Sequence, residues 1–151
     1  MREFSVLSRK VNIGSDFLLE ASAGTGKTFT IENLAARLLL EGEKPLVIEE
    51  ILIVTFTKAA TRDLKKRVRG NIEKALLAIE QADPGVMEYL TPYIDDPKKR
   101  YAAKKRLERA LAGFDDAQIF TIHGFCSRML AQYGFEGNCK LDVAEDAKSM
   151  H

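Results

Sequence analysis

In the stretch Asp16-Phe17-Leu18-Leu19-Glu20-Ala21-Ser22-Ala23-Gly24-Thr25-Gly26-Lys27-Thr28, a short apolar run passes into small residues and then into a lysine and a threonine. Residues 16–21 predict a buried strand, Ser22 to Gly26 a loop, and Lys27 to about Glu41 a helix. Ala21 to Thr28 fit the phosphate-binding pattern G-x-x-x-x-G-K-[ST] at every fixed position except the first, where Ala stands for Gly. The chemistry needs that context. Small residues let the backbone close around phosphate oxygens, successive N–H groups point inward, and the helix N-terminus adds partial positive charge. The candidate nucleotide-binding residues are therefore Ala21, Ser22, Ala23, Gly24, Thr25, Gly26, Lys27 and Thr28. Lys27 is expected to reach the β- and γ-phosphates, and Thr28 to place its hydroxyl on the Mg²⁺ carried by the nucleotide.

Downstream, Ile31, Leu34, Ala35, Leu38 and Leu39 recur at helical spacing, predicting one stripe packed on a sheet with Glu32 and Arg37 facing water. The β-branched run Ile51-Leu52-Ile53-Val54-Thr55-Phe56 predicts a second core strand, parallel and covered on both faces. A long helix is expected from Thr57 to about Ala82, with Ala60, Leu64, Val68, Ile72, Ala75, Leu76 and Ile79 inward. Most of its lysines and arginines lie elsewhere on its surface, and Asp83-Pro84-Gly85 ends it. Val86 to Phe114 predict a helical insertion of two helices broken near Asp95-Asp96-Pro97, the second strongly basic. Ala117 to Ile122 predict a third strand and His123 to Tyr133 a helix with Phe125, Met129, Leu130 and Tyr133 as its apolar side, followed by an acidic tail over about 136–151.

At 151 residues the chain is one domain's length, enough to bury about 68–70% of its unfolded surface. Apolar residues at 46% exclude a disordered chain, and no apolar run approaches the roughly 18 residues of a membrane span. The N-terminus has no signal-peptide pattern, and two cysteines, Cys126 and Cys139, make no disulfide framework, so the expected compartment is the reducing cytoplasm. With Lys plus Arg at 23 against Asp plus Glu at 22, net charge points to no polyanionic partner, and only local placement can. Turnover needs an acid at the end of a second buried strand, and no segment supplies one: Glu49-Glu50 and Asp115-Asp116 precede their strands. The residues encode nucleotide binding without a visible hydrolytic acid.

Three segments in order, Leu19 to Thr30, Ile53 to Thr61 (Ile-Val-Thr-Phe-Thr-Lys-Ala-Ala-Thr) and Phe120 to Cys126 (Phe-Thr-Ile-His-Gly-Phe-Cys), resemble motifs I, Ia and Ib of the UvrD/Rep-like superfamily 1 DNA helicases. The wording is most similar to the RecB-like branch, the β subunits of exodeoxyribonuclease V, in which Ala at the first loop position is usual. The resemblance spans about Phe17 to Phe135. It implies an α/β fold of P-loop NTPase (RecA-like) type: a parallel sheet with flanking helices, truncated, with a helical insertion between the second and third strands. It further implies ATP and Mg²⁺ as cofactors, and translocation on single-stranded DNA. The setting is a heterotrimeric helicase and exonuclease that processes duplex ends in double-strand break repair and recombination, with other subunits as partners. On that basis Thr55, Phe56, Thr57, Lys58 and Ala59, with Thr121 and His123, are the candidate DNA-binding residues. The adenine-reading glutamine found upstream in many members has no counterpart in residues 1–20, and the later motor and nuclease motifs are not present.

Plainer readings stand beside these. Phe56 is either a base platform or a core residue closing a strand, and Thr57 a phosphate contact, a helix cap, or both. His123 with Cys126 and Cys139 matches no zinc spacing. The basic helical faces are either solvated surface or a nucleic-acid or partner contact. A stand-alone P-loop kinase or small NTPase, and a non-catalytic single-strand-binding module, remain alternatives to the front part of a motor domain. For that front part, the expectation is ATP binding without turnover, and a sheet left with an open edge and an uncovered apolar face.

Overall fold

The computed structural model describes residues 4–16, 18–20, 24 and 26–134. Its elements are α1 (Lys27–Leu38), β1 (Leu52–Thr55), α2 (Lys58–Gln81), α3 (Thr91–Ile94), α4 (Pro97–Ala112), β2 (Gln118–Thr121) and α5 (Ile122–Tyr133), with 3-10 turns at Ile48–Glu50, Glu88–Leu90 and Phe114–Asp116. Strands β1 and β2 pair in parallel, Leu52 opposite Gln118 and Thr55 opposite Thr121. Parallel neighbours need a long crossover, and α2, α3 and α4 provide it.

Helix α2 is the centre of the molecule. Its inward positions Val68, Ile72, Ala75 and Ile79 are fully buried, and it packs on α1, on α4 and on both strands. Its start is fixed by Thr57, whose hydroxyl oxygen accepts from the Ala60 N–H at 3.1 Å. Its end comes at Ala82, in the left-handed region at φ 54°, and the Asp83 N–H reaches back to the Ala78 carbonyl at 3.0 Å. The expected break in the insertion stands at Asp96, whose carboxylate caps α4 by accepting from the Lys98 and Lys99 N–H groups, with Pro97 in the first helical position. Ala103, Leu107 and Ala110 then close α4 onto the core.

Several expectations are corrected. The described residues of the first expected strand, Asp16 and Leu18 to Glu20, form no strand, and Leu18 is 84% exposed. No described strand pairs with that segment, and an extended run without a neighbour has no ladder to hold it. The run containing β1 is not covered on both faces: Ile51 is buried, but Leu52 and Val54 are 46% and 48% exposed. Among the described residues no helix covers these two side chains, and α1 lies chiefly on α2 instead of on the sheet. Helix α5 buries no residue, and its Leu130 and Tyr133 are exposed. The inward set of α2 also differs at its first member, since Ala60 is exposed.

Glu32 and Arg37 do not face water. Arg37 is fully buried, and its guanidinium forms a bidentate pair with Glu41 at 2.6 and 2.9 Å. The same group donates to the carbonyls of Val6 at 2.9 Å, Ser8 at 3.3 Å and Val11 at 2.7 Å, and lies 5.7 Å from the Tyr89 ring centre. Arginine suits this place because its planar fork offers five donors and keeps its charge when paired. The segment before α1 is thereby tied to the end of that helix, and the Leu7 carbonyl accepts from the Tyr89 N–H at 3.1 Å, extending the tie to the insertion. Glu32 instead pairs with Arg67 of α2 at 2.9 Å, while Asn71 donates to the Glu32 carbonyl at 3.0 Å and to Asn33 at 3.3 Å. Burial pushes the Tyr89 phenol far above its ordinary value, so it stays a neutral donor, directed at Asn33.

Candidate nucleotide and nucleic-acid site

The phosphate-loop candidates divide at the boundary of the described residues. Ala21, Ser22, Ala23 and Thr25 lie outside it. Gly24 and Gly26 lie inside it, at φ 79° and 90°, where only glycine is unstrained, and among the described residues a Cβ at either position would meet no atom beyond its chain neighbours within 4 Å. Gly26 is the N-cap of α1 and makes no side-chain cap, and the N–H groups of the first turn point out of this helix end. Lys27 occupies the first helical position and is exposed, and Thr28 beside it is half-buried. The donor set fits a polyphosphate: helix N–H groups, a lysine and a hydroxyl at one helix start. In that arrangement Lys27 and Thr28 are the groups that would hold ATP and its Mg²⁺.

The second half of the site is built by the ends of the two strands. Thr55 and Thr121 are register partners, each at the last position of its strand. From each the chain turns into a helix start capped by a threonine: Thr57 caps α2, and Thr121 caps α5 by accepting from the Gly124 N–H at 3.0 Å. Two positive helix ends therefore open on one edge of the sheet. A capping hydroxyl uses an acceptor lone pair, so the O–H protons of Thr57 and Thr121 stay free to donate to a phosphate oxygen.

Phe56 projects from this edge and is 87% exposed, with none of the described residues packed over it. Lys58, Ala59 and His123 are exposed beside it in the first turns of α2 and α5. Thr55 is different. Its hydroxyl lies 2.6 Å from that of Thr61, and both reach the Thr57 carbonyl, at 3.2 and 3.0 Å. Each hydroxyl has one proton, so the pair is committed to holding the Phe56-Thr57 turn. Thr55 shapes the site more than it offers a donor to it. Thr61 shares this work, and four-residue spacing from the capping Thr57 was its only sequence signal. The arginine–aromatic contact of Arg128 over Phe120, at 5.2 Å, also lies beyond sequence reading, since it joins α5 to β2.

Among the described residues no helix is long and apolar enough to cross a membrane. Residues 7–149 match the UvrD/REP helicase N-terminal domain. The chain is 43% identical over 136 residues to the RecBCD enzyme subunit RecB of Chlamydia trachomatis, covering 88% of this chain and 13% of that protein. It is 47% identical over 127 residues to the RecB subunit of Escherichia coli, covering 79% of this chain and 10% of that one. Against the RecB subunit of Mycobacterium tuberculosis H37Rv it is 39% identical over 144 residues, covering 95% of this chain and 13% of that subunit. The chain thus spans only about a tenth to an eighth of the length of these relatives. With a phosphate-type helix start, two capped strand ends and this match along nearly its whole length, the chain belongs to the UvrD/REP helicase N-terminal domain family.

Proposed function

We propose that this chain is the ATP-binding, DNA-contacting front part of a RecB-like helicase and exonuclease subunit that works on duplex ends in break repair and recombination with partner subunits. The observation that carries the reading is the pairing of Thr55 with Thr121, which sets two threonine-capped helix starts and the exposed Phe56 on one edge. Hydroxyl and N–H donors would hold the backbone of a single strand there, while Phe56 stacks on a base. Phosphates of ATP would sit over Gly24 and Gly26, with Lys27 on the terminal phosphates and Thr28 on Mg²⁺.

Binding without turnover is the expected behaviour of this chain alone. Strands β1 and β2 both end in threonine, so neither supplies the acid that orients an attacking water. The same lack counts against a stand-alone kinase or small NTPase.

Fluorescence anisotropy with a labelled deoxythymidine oligonucleotide, with and without ATP and Mg²⁺, tests the reading together with phosphate release. Binding that weakens in Phe56→Ala, with no ordinary enzymatic rate of ATP hydrolysis, is expected. Rapid hydrolysis by this chain that Lys27→Ala abolishes would overturn the division of labour.

A further inference from the structure

Helix α2 carries its charges in an order that works against its own stability. From Lys58 to Arg69 it has six cations, Lys58, Arg62, Lys65, Lys66, Arg67 and Arg69, against the single acid Asp63, and its first turn holds no acid. Glu73 and Glu80 stand in its C-terminal half. A helix is stabilised by the reverse arrangement, anions at the N-terminus and cations at the C-terminus. Among the described residues, Lys58, Arg62, Lys65 and Lys66 make no salt bridge, whereas Arg67 pairs with Glu32 and Arg69 with Glu73. All six are exposed. Spacings of four, three and four residues put Lys58, Arg62, Lys65 and Arg69 on one face, a line about 16 Å long at 1.5 Å per residue. Lys65, Lys66 and Arg69 border a shallow groove with Phe114 and Asp115 at the end of the insertion, three cations against one acid. The line begins at the strand-end edge, where Lys58 follows Thr57.

We infer that this face of α2 is a phosphate rail, along which the backbone of the nucleic acid held at Thr57 and Thr121 continues past Arg62, Lys65 and Lys66 toward Arg69. The inference rests on the strand-end reading above and adds residues and direction to it. Cations that repel one another three and four residues apart become favourable when an external polyanion lies over them, because each phosphate contact releases a condensed counterion. The rail carries no exposed aromatic of its own, so it holds by charge and is indifferent to sequence.

The experiment uses the 151-residue chain, the triple variants Arg62→Gln/Lys65→Gln/Lys66→Gln and Arg62→Glu/Lys65→Glu/Lys66→Glu, and labelled deoxythymidine oligonucleotides of about 6 and about 16 nucleotides. A duplex arm shows which form of DNA uses the rail. Expected for the neutral variant is unchanged binding of the short strand, at least about tenfold weaker binding of the longer DNA, and a log–log salt slope shallower by about 2. Without DNA, both variants should melt at or above the wild-type temperature, since they relieve repulsion between cations three and four residues apart on the helix. Wild-type affinity and salt slope in both variants would overturn the rail while leaving the strand-end site standing. Failure of the unmodified chain to bind either length would defeat the strand-end reading and the rail with it.

Discussion

Thr55 and Thr121 stand opposite each other at the last positions of two parallel strands, and from this pair α2 and α5 both begin. Ligands of open parallel sheets gather outside the carboxyl ends of the strands, where helix N-termini converge. Here the edge adds two capping hydroxyls and an exposed phenylalanine, so cap, donor and platform share a few residues. Roles that coincide this closely can be separated by substitutions that preserve one and remove another.

Thr57 is the first such position. Thr57→Ala should cost about 1 kcal/mol of stability through the lost cap. Thr57→Asp keeps an acceptor for the Ala60 N–H and suits the positive helix end, so thermal melting should show no loss. Anisotropy should nevertheless show weaker DNA binding for the aspartate than for the alanine, because a carboxylate repels phosphate. Equal binding by both variants would reduce Thr57 to a cap.

Phe56 should separate the other way. At 87% exposure its truncation to alanine should move stability by no more than about 0.5 kcal/mol. Loss of a stacking face should weaken single-strand binding by about 1–3 kcal/mol, roughly 5- to 150-fold. A large drop in melting temperature with unchanged affinity would contradict the platform role.

Arg37 governs the upstream segment. Arg37→Met removes the partner of Glu41 and the donors to Val6, Ser8 and Val11, and should cost about 3–5 kcal/mol in a denaturant titration. Arg37→Lys should recover only part of this, since an ammonium cannot reproduce the planar fork. Hydrogen exchange over residues 4–16 should rise in both, and a local loss of protection confined to α1 would contradict the tie.

Gly26 tests the phosphate loop through its backbone. Among the described residues a Cβ there meets no atom beyond its chain neighbours, so a stability loss in Gly26→Ala comes from φ 90°, about 1–3 kcal/mol, read by melting. The stabilisation given by ATP and Mg²⁺ should shrink further in this variant, because the reorganised turn no longer aims its N–H groups at phosphate.

Long periodic segments were legible in the sequence: α2 and α4 with their caps and stops, β1 and β2, and the break at Asp96. Their signals are local, a threonine or aspartate before a repeating apolar stripe and a turn residue after it. Arg37 and Glu32 were misplaced because periodicity shows which face is apolar but not what covers the opposite one. In this chain residues 6–11 and Tyr89 cover Arg37, from sequence distances of 26 to 52. Position Arg37 did carry a local hint in Glu41 four residues on, the spacing of a helical ion pair. Strand β1 was expected to be covered because β-branched apolar runs belong to two-sided sheets. Exposure of Leu52 and Val54 shows that the composition of a strand records the partners it suits, whether or not a helix of the described residues lies over it. At the candidate site the capping role of Thr57 was readable, but the diversion of the Thr55 hydroxyl to Thr61 was not, since it depends on the turn's geometry.

Calorimetric titration of ATP with Mg²⁺ into this chain, beside Lys27→Ala, tests the central claim most directly. The account predicts a one-to-one binding isotherm for the unmodified chain and a loss of at least about tenfold in affinity for the variant, with both proteins melting at similar temperatures. Identical isotherms, or no heat of binding from a folded unmodified chain, would contradict it.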